Sequence, residues 1–181
     1  YHYSEPLFGW LMIPYKNAYW KVYGKEPVMI TTGLVESFMV YMKLGVFVGI
    51  FLVSPVIFTQ LWAFVAPALR PTERKHTLSI VFFATLFFVG GAILGYFGVF
   101  PIGFQYFLEV NKGGNIQPLL RMQEYFELSS MMLLIFGCIF EAPLIVLYLV
   151  ILGILNAKQL ITPWRGIIVC ISIAAAICSP P

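Results

Sequence analysis

Long apolar runs alternate with short polar segments along the chain, as in a protein that crosses a membrane several times. Residues 44–69 and 77–108 carry no charged side chain. A third run, 128–152, contains a single charge at Glu141, and a fourth starts at Gly166. About 20 apolar residues suffice to cross a bilayer as a helix. We therefore predict four membrane helices, over residues 33–69, 77–108, 128–152 and 166–181.

Residues 1–32, the cap segment, differ in kind because lysine, glutamate, proline and glycine interrupt them throughout. The segment is also rich in aromatic residues, and aromatic rings with nearby lysines are typical of segments at a bilayer surface. A disordered loop would not carry so many aromatic residues. We therefore predict a short helical cap that lies on the membrane surface.

Prolines and glycines inside the apolar runs predict bends and close helix contacts. Pro55, Pro101 and Pro143 each remove a backbone hydrogen bond and bend a helix, and bent helices form concave walls. Gly-x-x-x-Gly spacings allow close helix approach, and we interpret them as packing within the chain rather than as a dimer face. Two such spacings are present, Gly45/Gly49 and Gly91/Gly95.

Composition strengthens the membrane assignment and excludes several kinds of function. The chain is 60% hydrophobic and 10% charged, whereas soluble domains carry about 25% charged residues. The net charge of +3 is spread over the loops, so nucleic-acid binding is not expected. The three cysteines have no metal-ligand spacing. Without a nucleophile–base pair or a phosphate loop, we expect no enzyme, no metal and no cofactor.

The distribution of lysine and arginine predicts the orientation in the membrane. Loops 70–76 and 153–165 hold five of these residues, whereas loop 109–127 holds two beside three glutamates. Because positive loops stay in the cytoplasm, we place the first two loops there. The cap segment and loop 109–127 then lie on the outer side.

Three polar residues are candidates for function. A carboxylate at mid-membrane, such as Glu141, normally faces a cavity or a partner, although a protonated glutamate that only hydrogen-bonds a neighbouring helix is the alternative. Gln60 is as compatible with an interhelical hydrogen bond as with a ligand role, and the two side chains together would line one polar groove. Glu73 can accept a guanidinium, but from chemistry alone a solvated salt bridge is the better interpretation.

The chain also resembles one family in its motifs. Residues 60–73 follow the pattern Gln-x-Trp-x-Phe-x-x-Pro-x-Leu-x-x-x-Glu, and Phe140-Glu141-Ala142-Pro143 falls in the third run. Both resemble TatC, the receptor core of the twin-arginine protein translocase, as does Ser179-Pro180-Pro181, where threonine is usual in place of Ser179. Lys75 is another departure, because arginine is frequent there. The resemblance covers nearly the whole chain.

The resemblance implies an all-α, cupped fold of six helices, of which the chain lacks the first and sixth, with the cap segment on the periplasmic side. It implies binding of Arg-Arg signal peptides of folded precursor proteins, and proton-motive-force-dependent export with TatB- and TatA-type partners. Self-association in a receptor complex and a place in the bacterial cytoplasmic membrane are also implied, with thylakoid or archaeal membranes as alternatives. The implied signal-peptide-binding residues are Phe64, Pro67, Leu69, Glu73, Arg74 and Lys75. Partner contacts are implied for Ala176 and Ser179.

Two other classes of function stay open on the residues alone. One is a proton- or ion-coupled small-molecule transporter that uses Glu141 as a relay, although no internal repeat or pair of broken helices is visible. The other is a structural assembly factor without transport activity.

Overall fold

The computed structural model describes residues 4–33, 35–65, 77–113 and 119–151, and this part of the chain is mostly helical. A π-helical turn, Gly95–Val99, joins the helices Thr77–Leu94 and Phe100–Gly113 into one continuous rod. The helices are α1 (Ser4–Leu11), α2 (Ile13–Tyr23), α3 (Glu36–Val65), α4 (Thr77–Leu94), α5 (Phe100–Gly113) and α6 (Met122–Ile151). Two short strands, β1 (Met29–Ile30) and β2 (Leu120–Arg121), pair in parallel.

Among the described residues, three helical segments are long and apolar enough to cross a membrane, namely Glu36–Phe64, Leu78–Lys112 and Met122–Val150. The expected all-α membrane fold is therefore confirmed, and the described part of the chain adds one two-residue strand pair. The predicted fourth span, 166–181, lies outside the described residues, as do loops 70–76 and 153–165.

The region predicted as loop 109–127 is shorter than expected, because helix continues into it from both sides. The second span runs on to Gly113, and α6 already begins at Met122. Hydrogen bonds between side chains four residues apart stabilise these polar helix ends. Gln105 Nε2 donates to Glu109 at 2.8 Å, and Gln123 Nε2 donates to Glu127 at 2.9 Å. Hydropathy misses such ends because side-chain pairing rather than burial in lipid stabilises them.

Close packing of α4 against α6 accounts for one of the two glycine spacings. A Cβ atom on Gly91 would lie 2.7 Å from the Phe136 carbonyl oxygen, and one on Gly95 would lie 3.0 Å from the Phe136 ring. The packing interpretation is therefore confirmed for Gly91/Gly95. By contrast, a Cβ atom on Gly45 or Gly49 would meet nothing within 4 Å among the described residues.

The π-helical turn lies directly before Pro101. A helical proline clashes with the carbonyl four residues earlier, here that of Phe97. The chain widens at this point, so that the Phe100 N–H donates to the Gly95 carbonyl five residues back. Such a widened turn accommodates the ring without ending the helix. At Pro55 and Pro143 the helices α3 and α6 continue through the proline.

The cap segment folds as α1 and α2 and packs onto one end of the long helices. Of the residues that the structure describes, Tyr125 of α6 is the most deeply buried large side chain, and its hydroxyl donates to the Leu11 carbonyl at 2.6 Å. Its ring meets those of Tyr15 and Phe104 at 5.5 and 5.7 Å. Burial, with the neighbouring Tyr19 and Tyr23, raises the pKa of Tyr15 to about 12.

The direction of α2 differs from the flat cap that the sequence suggests. Tyr15 meets Phe104 ring to ring at 5.6 Å, and seven residues later the Val22 carbonyl accepts a hydrogen bond from Lys112 at 2.8 Å. Successive residues of α2 thus contact successive turns of α5, so the two helices run side by side in the same direction. The helix α2 does not adopt the flat orientation because one of its faces forms part of the protein core, including Tyr15, Ala18, Tyr19 and Val22.

A second junction, around Glu36, ties the end of the cap segment to α6. One carboxylate oxygen of Glu36 accepts from the Thr32 N–H at 2.6 Å, the Thr32 hydroxyl at 2.9 Å and the Gly33 N–H at 3.3 Å. The other accepts from the Gln123 N–H at 3.3 Å. Arg121 of β2 donates to the Thr32 hydroxyl at 2.6 Å. The acidic residue that starts α3 therefore also holds the start of α6.

Candidate functional site

Glu141 lies in a concavity between α3 and α6. The concavity has a volume of about 240 Å³, and its walls are almost wholly apolar. Aromatic rings from both helices close one side, where Trp62 meets Tyr148 edge to face at 4.5 Å. The Glu141 concavity is lined by Phe58, Leu61, Trp62, Glu141, Leu144, Ile145, Tyr148 and Leu149.

The Glu141 side chain is 8% exposed, and its Oε1 atom is buried without a hydrogen-bond partner in the described part of the chain. A buried polar atom without a partner is costly. The carboxyl group can therefore form a hydrogen bond with a group that enters the concavity, either a water molecule or a polar side chain of another helix. In the described part of the chain, the side chain therefore lines the concavity between α3 and α6.

The depth of Glu141 follows from its distance along α6. Glu127 forms an exposed ion pair with Lys43 at 2.7 Å, near the end of the bundle that carries the cap segment. Glu141 lies fourteen residues farther along, or roughly 21 Å at about 1.5 Å per residue. Measured against a hydrocarbon layer about 30 Å thick, this distance corresponds to the half of the layer away from the cap segment.

Gln60 does not join Glu141 in one groove. It is exposed on α3 and is absent from the lining of the Glu141 concavity. The reason is helical geometry, because Gln60 lies two residues from both Phe58 and Trp62, and residues two apart point to opposite sides of a helix. The expectation of a joint polar groove is therefore wrong for this pair.

Phe64, at the end of α3 opposite the cap segment, is 86% exposed. It lies two residues beyond Trp62, so the aromatic side of the Glu141 concavity and this exposed ring are near the same end of the bundle. The other predicted signal-peptide residues, Pro67, Leu69, Glu73, Arg74 and Lys75, lie outside the described residues. Ala176 and Ser179, predicted to contact partners, also lie outside them.

Sequence reasoning missed two kinds of residue. Leu144 and Tyr148 line the Glu141 concavity, and their spacing of three and seven residues from Glu141 on one helix face is the signal that points to them. Glu36 was not considered because an acidic residue at a helix start normally needs no special explanation. Within the described residues no group of three or more His, Cys, Asp or Glu side chains is placed to hold a metal ion.

Comparison with known sequences finds one protein family that matches the whole chain. Residues 1–181 match the family described as Sec-independent protein translocase protein (TatC). The proteins of that name from Desulforapulum autotrophicum and Magnetococcus marinus are 36% and 35% identical to this chain over 181 residues. Each match covers 100% of this chain and 65% of the relative, so the chain spans about two thirds of their length.

Comparison with solved structures finds the same family on the basis of the fold. Two crystal structures described as Twin Arginine Translocase Receptor- TatC, one of them in DDM, match with TM-scores of 0.83 and 0.82 at 26% identity. The matches cover 99% of this chain and 78% and 77% of those chains. On the whole-length sequence match and the shared arrangement of helices, the chain belongs to the TatC family of Sec-independent protein translocase proteins.

Proposed function

We propose that the chain is the central part of a receptor subunit for twin-arginine protein translocation. In this proposal it binds the Arg-Arg signal peptide of a folded precursor protein. With TatB- and TatA-type single-helix partners it then supports export driven by the proton-motive force, in the bacterial cytoplasmic membrane. The observation that carries the proposal is the family match over residues 1–181, together with the structural likeness to proteins described as twin-arginine translocase receptors.

The exposed ring of Phe64 supports signal binding at the inner end of α3. A large apolar side chain that is 86% exposed at the end of a membrane helix offers an apolar contact for an incoming peptide. Nine residues later the chain carries Glu73, followed by Arg74 and Lys75. A carboxylate accepts a planar guanidinium through two parallel hydrogen bonds, so we assign recognition of the arginine pair to Glu73.

Glu141 supports a later step than signal recognition. Its unpartnered carboxyl oxygen lies in an apolar concavity within the membrane-spanning part of the bundle. Because such a group is stabilised by any donor brought to it, a partner helix with a polar side chain, or water admitted during transport, would satisfy it. We therefore assign Glu141 to partner docking or translocation.

Photo-crosslinking tests the proposed receptor role. A photoreactive phenylalanine analogue replaces Phe64 in the full-length protein in membranes, and a precursor with an Arg-Arg signal is compared with its Lys-Lys counterpart. We expect crosslinks to the Arg-Arg signal and a strong loss with Lys-Lys, because lysine lacks the planar donor pair. Glu73→Ala and Glu73→Gln should both abolish the crosslink, since neither side chain is a charged acceptor.

Glu109→Gln is the matched control, because Glu109 is an exposed glutamate near the end of the bundle that carries the cap segment. It should leave the crosslink unchanged. Normal crosslinking in both Glu73 variants would contradict the assignment, and equal crosslinking of Arg-Arg and Lys-Lys signals would contradict the receptor function itself.

A further inference from the structure

α1 and α2 present one outward stripe of side chains. The two helices are nearly continuous, because the Met12 N–H donates to the Phe8 carbonyl at 3.0 Å and the Lys16 N–H to the Met12 carbonyl at 2.9 Å. From Pro6 to Trp20, successive positions of the stripe are three or four residues apart, so their side chains share one face. This outer stripe consists of Pro6, Trp10, Ile13, Asn17, Trp20 and Lys21, with Lys16 beside it.

The level of this stripe relative to the membrane follows from contacts with α6. Lys43 and Glu127 form their ion pair while about half exposed, and charges so exposed belong at the headgroup layer rather than in hydrocarbon. Tyr125 lies two residues above Glu127 on α6 and contacts both Tyr15 and Phe104. Tyr15, and with it Lys16, therefore lies near the headgroup level.

Trp10 lies deeper than this level. Its carbonyl accepts a hydrogen bond from the hydroxyl of Tyr96, and Tyr96 precedes Phe104 by eight residues, roughly 12 Å along the rod at about 1.5 Å per residue. At the other end of the stripe, Val22 is level with Lys112. The stripe thus rises from Trp10 at the edge of the hydrocarbon, through Lys16, to Trp20 and Lys21 beyond the headgroups.

We propose that the lower half of this stripe is a lipid-binding surface for the leaflet nearest the cap segment. Trp10 and Ile13 contact the upper acyl chains, and Lys16 binds the phosphate of an anionic phospholipid headgroup. The upper half, with Trp20, remains above the lipid. The proposal concerns the opposite end of the bundle from Phe64 and does not depend on signal-peptide binding.

Polarity along the stripe favours lipid as the occupant. Trp10 is 72% exposed, and a large ring at this level is typical of the aromatic belt at a membrane interface. The exposed Phe97 follows Tyr96 on the adjacent helix, so the surface continues directly into the lipid-facing wall. Lysine stems extend their charge to the headgroups from such positions. The acidic residue of α1, Glu5, lies eleven residues from Lys16.

Tryptophan fluorescence of the full-length protein in vesicles tests the proposal. The vesicles contain phosphatidylcholine with a fraction of phosphatidylglycerol brominated near the headgroup end of its acyl chains, which quenches only nearby rings. Trp10→Phe and Trp20→Phe are a matched pair, because both rings are exposed, at 72% and 59%, and both belong to the cap segment. Trp62 and Trp164 remain in both variants.

We expect Trp10→Phe to remove a large part of the quenchable emission and Trp20→Phe to remove little. Brominated phosphatidylcholine at the same fraction should quench the natural chain less than brominated phosphatidylglycerol, and Lys16→Gln should abolish this difference. If Trp10→Phe leaves quenching unchanged, the stripe lies in water or under a protein partner and the proposal is wrong. Equal quenching by the two lipids would overturn the role of Lys16.

Discussion

Replacing Gly91 by alanine tests the closest contact between α4 and α6. The added Cβ atom would lie 2.7 Å from the Phe136 carbonyl oxygen and 2.8 Å from Cβ and Cγ of Phe140. Two of these atoms are backbone or adjacent to backbone, so rotation of a side chain cannot relieve the overlap. To restore an ordinary contact of 3.4 Å, the two helices must separate by about 0.7 Å, in a region that is otherwise closely packed.

Gly90→Ala is the matched control, because a Cβ atom on Gly90 would meet nothing within 4 Å in the described part of the chain. Both substitutions gain about 1 kcal/mol of helix propensity, since glycine is about that much less favourable than alanine. Because this gain is the same for Gly90→Ala and Gly91→Ala, it cancels when the two variants are compared. The difference in unfolding free energy between the two variants is then the overpacking cost alone, which is typically about 1–3 kcal/mol.

Thermal unfolding of the two purified variants in the same detergent measures this difference. About 1 kcal/mol corresponds to roughly 2–4 °C for a chain of this size, so Gly91→Ala should melt several degrees below Gly90→Ala. Gly90→Ala should melt at or above the natural chain. Equal melting temperatures for the two alanine variants would refute the close approach of α4 to Phe136.

Three further sets of substitutions test other parts of the chain. Tyr125→Phe removes a buried hydrogen bond to α1 and should lower the unfolding free energy, measured by denaturant titration, by about 1 kcal/mol. Tyr106→Phe, at an exposed ring, should leave it unchanged. Equal effects of the two substitutions would argue against the buried contact. Glu141→Ala should reduce export while signal crosslinking survives, and Glu141→Gln should be milder because an amide keeps the hydrogen bond; loss of both activities together would contradict a late role. Cysteines at Ala176 and Ser179 should crosslink to a single-helix partner, and reaction with lipid-facing reagents only would exclude that face.

The sequence by itself determined the membrane class, the presence of the three described spans and the family. These features depend on local composition, because an apolar run of sufficient length must be helical in lipid to satisfy its own backbone. The motif around Trp62 and Phe64 is also local. It identified the family without any knowledge of which helices touch.

The tertiary structure decided which faces of those helices meet. Gly91/Gly95 and Gly45/Gly49 have the same spacing, yet only the first pair packs on a neighbouring helix in the described part of the chain. Gln60 and Glu141 are both polar residues in apolar runs, but only Glu141 lies in the concavity. The physical reason is that the rotation of a uniformly apolar helix is set by contacts with other helices, which a local pattern does not contain.

The position of the cap segment was decided in the same way. Its composition indicated a surface element, but contacts of Tyr15 with Phe104 and of Lys112 with Val22 place α2 alongside α5. The polar ends of α5 and α6 likewise extend beyond the apolar runs, because side-chain pairs and the cap segment stabilise them. The contacts of the cap segment are non-local, and the side-chain pairs join polar residues only four positions apart. Neither kind of contact contributes to hydropathy, so hydropathy alone does not predict the position of the cap segment or the polar helix ends.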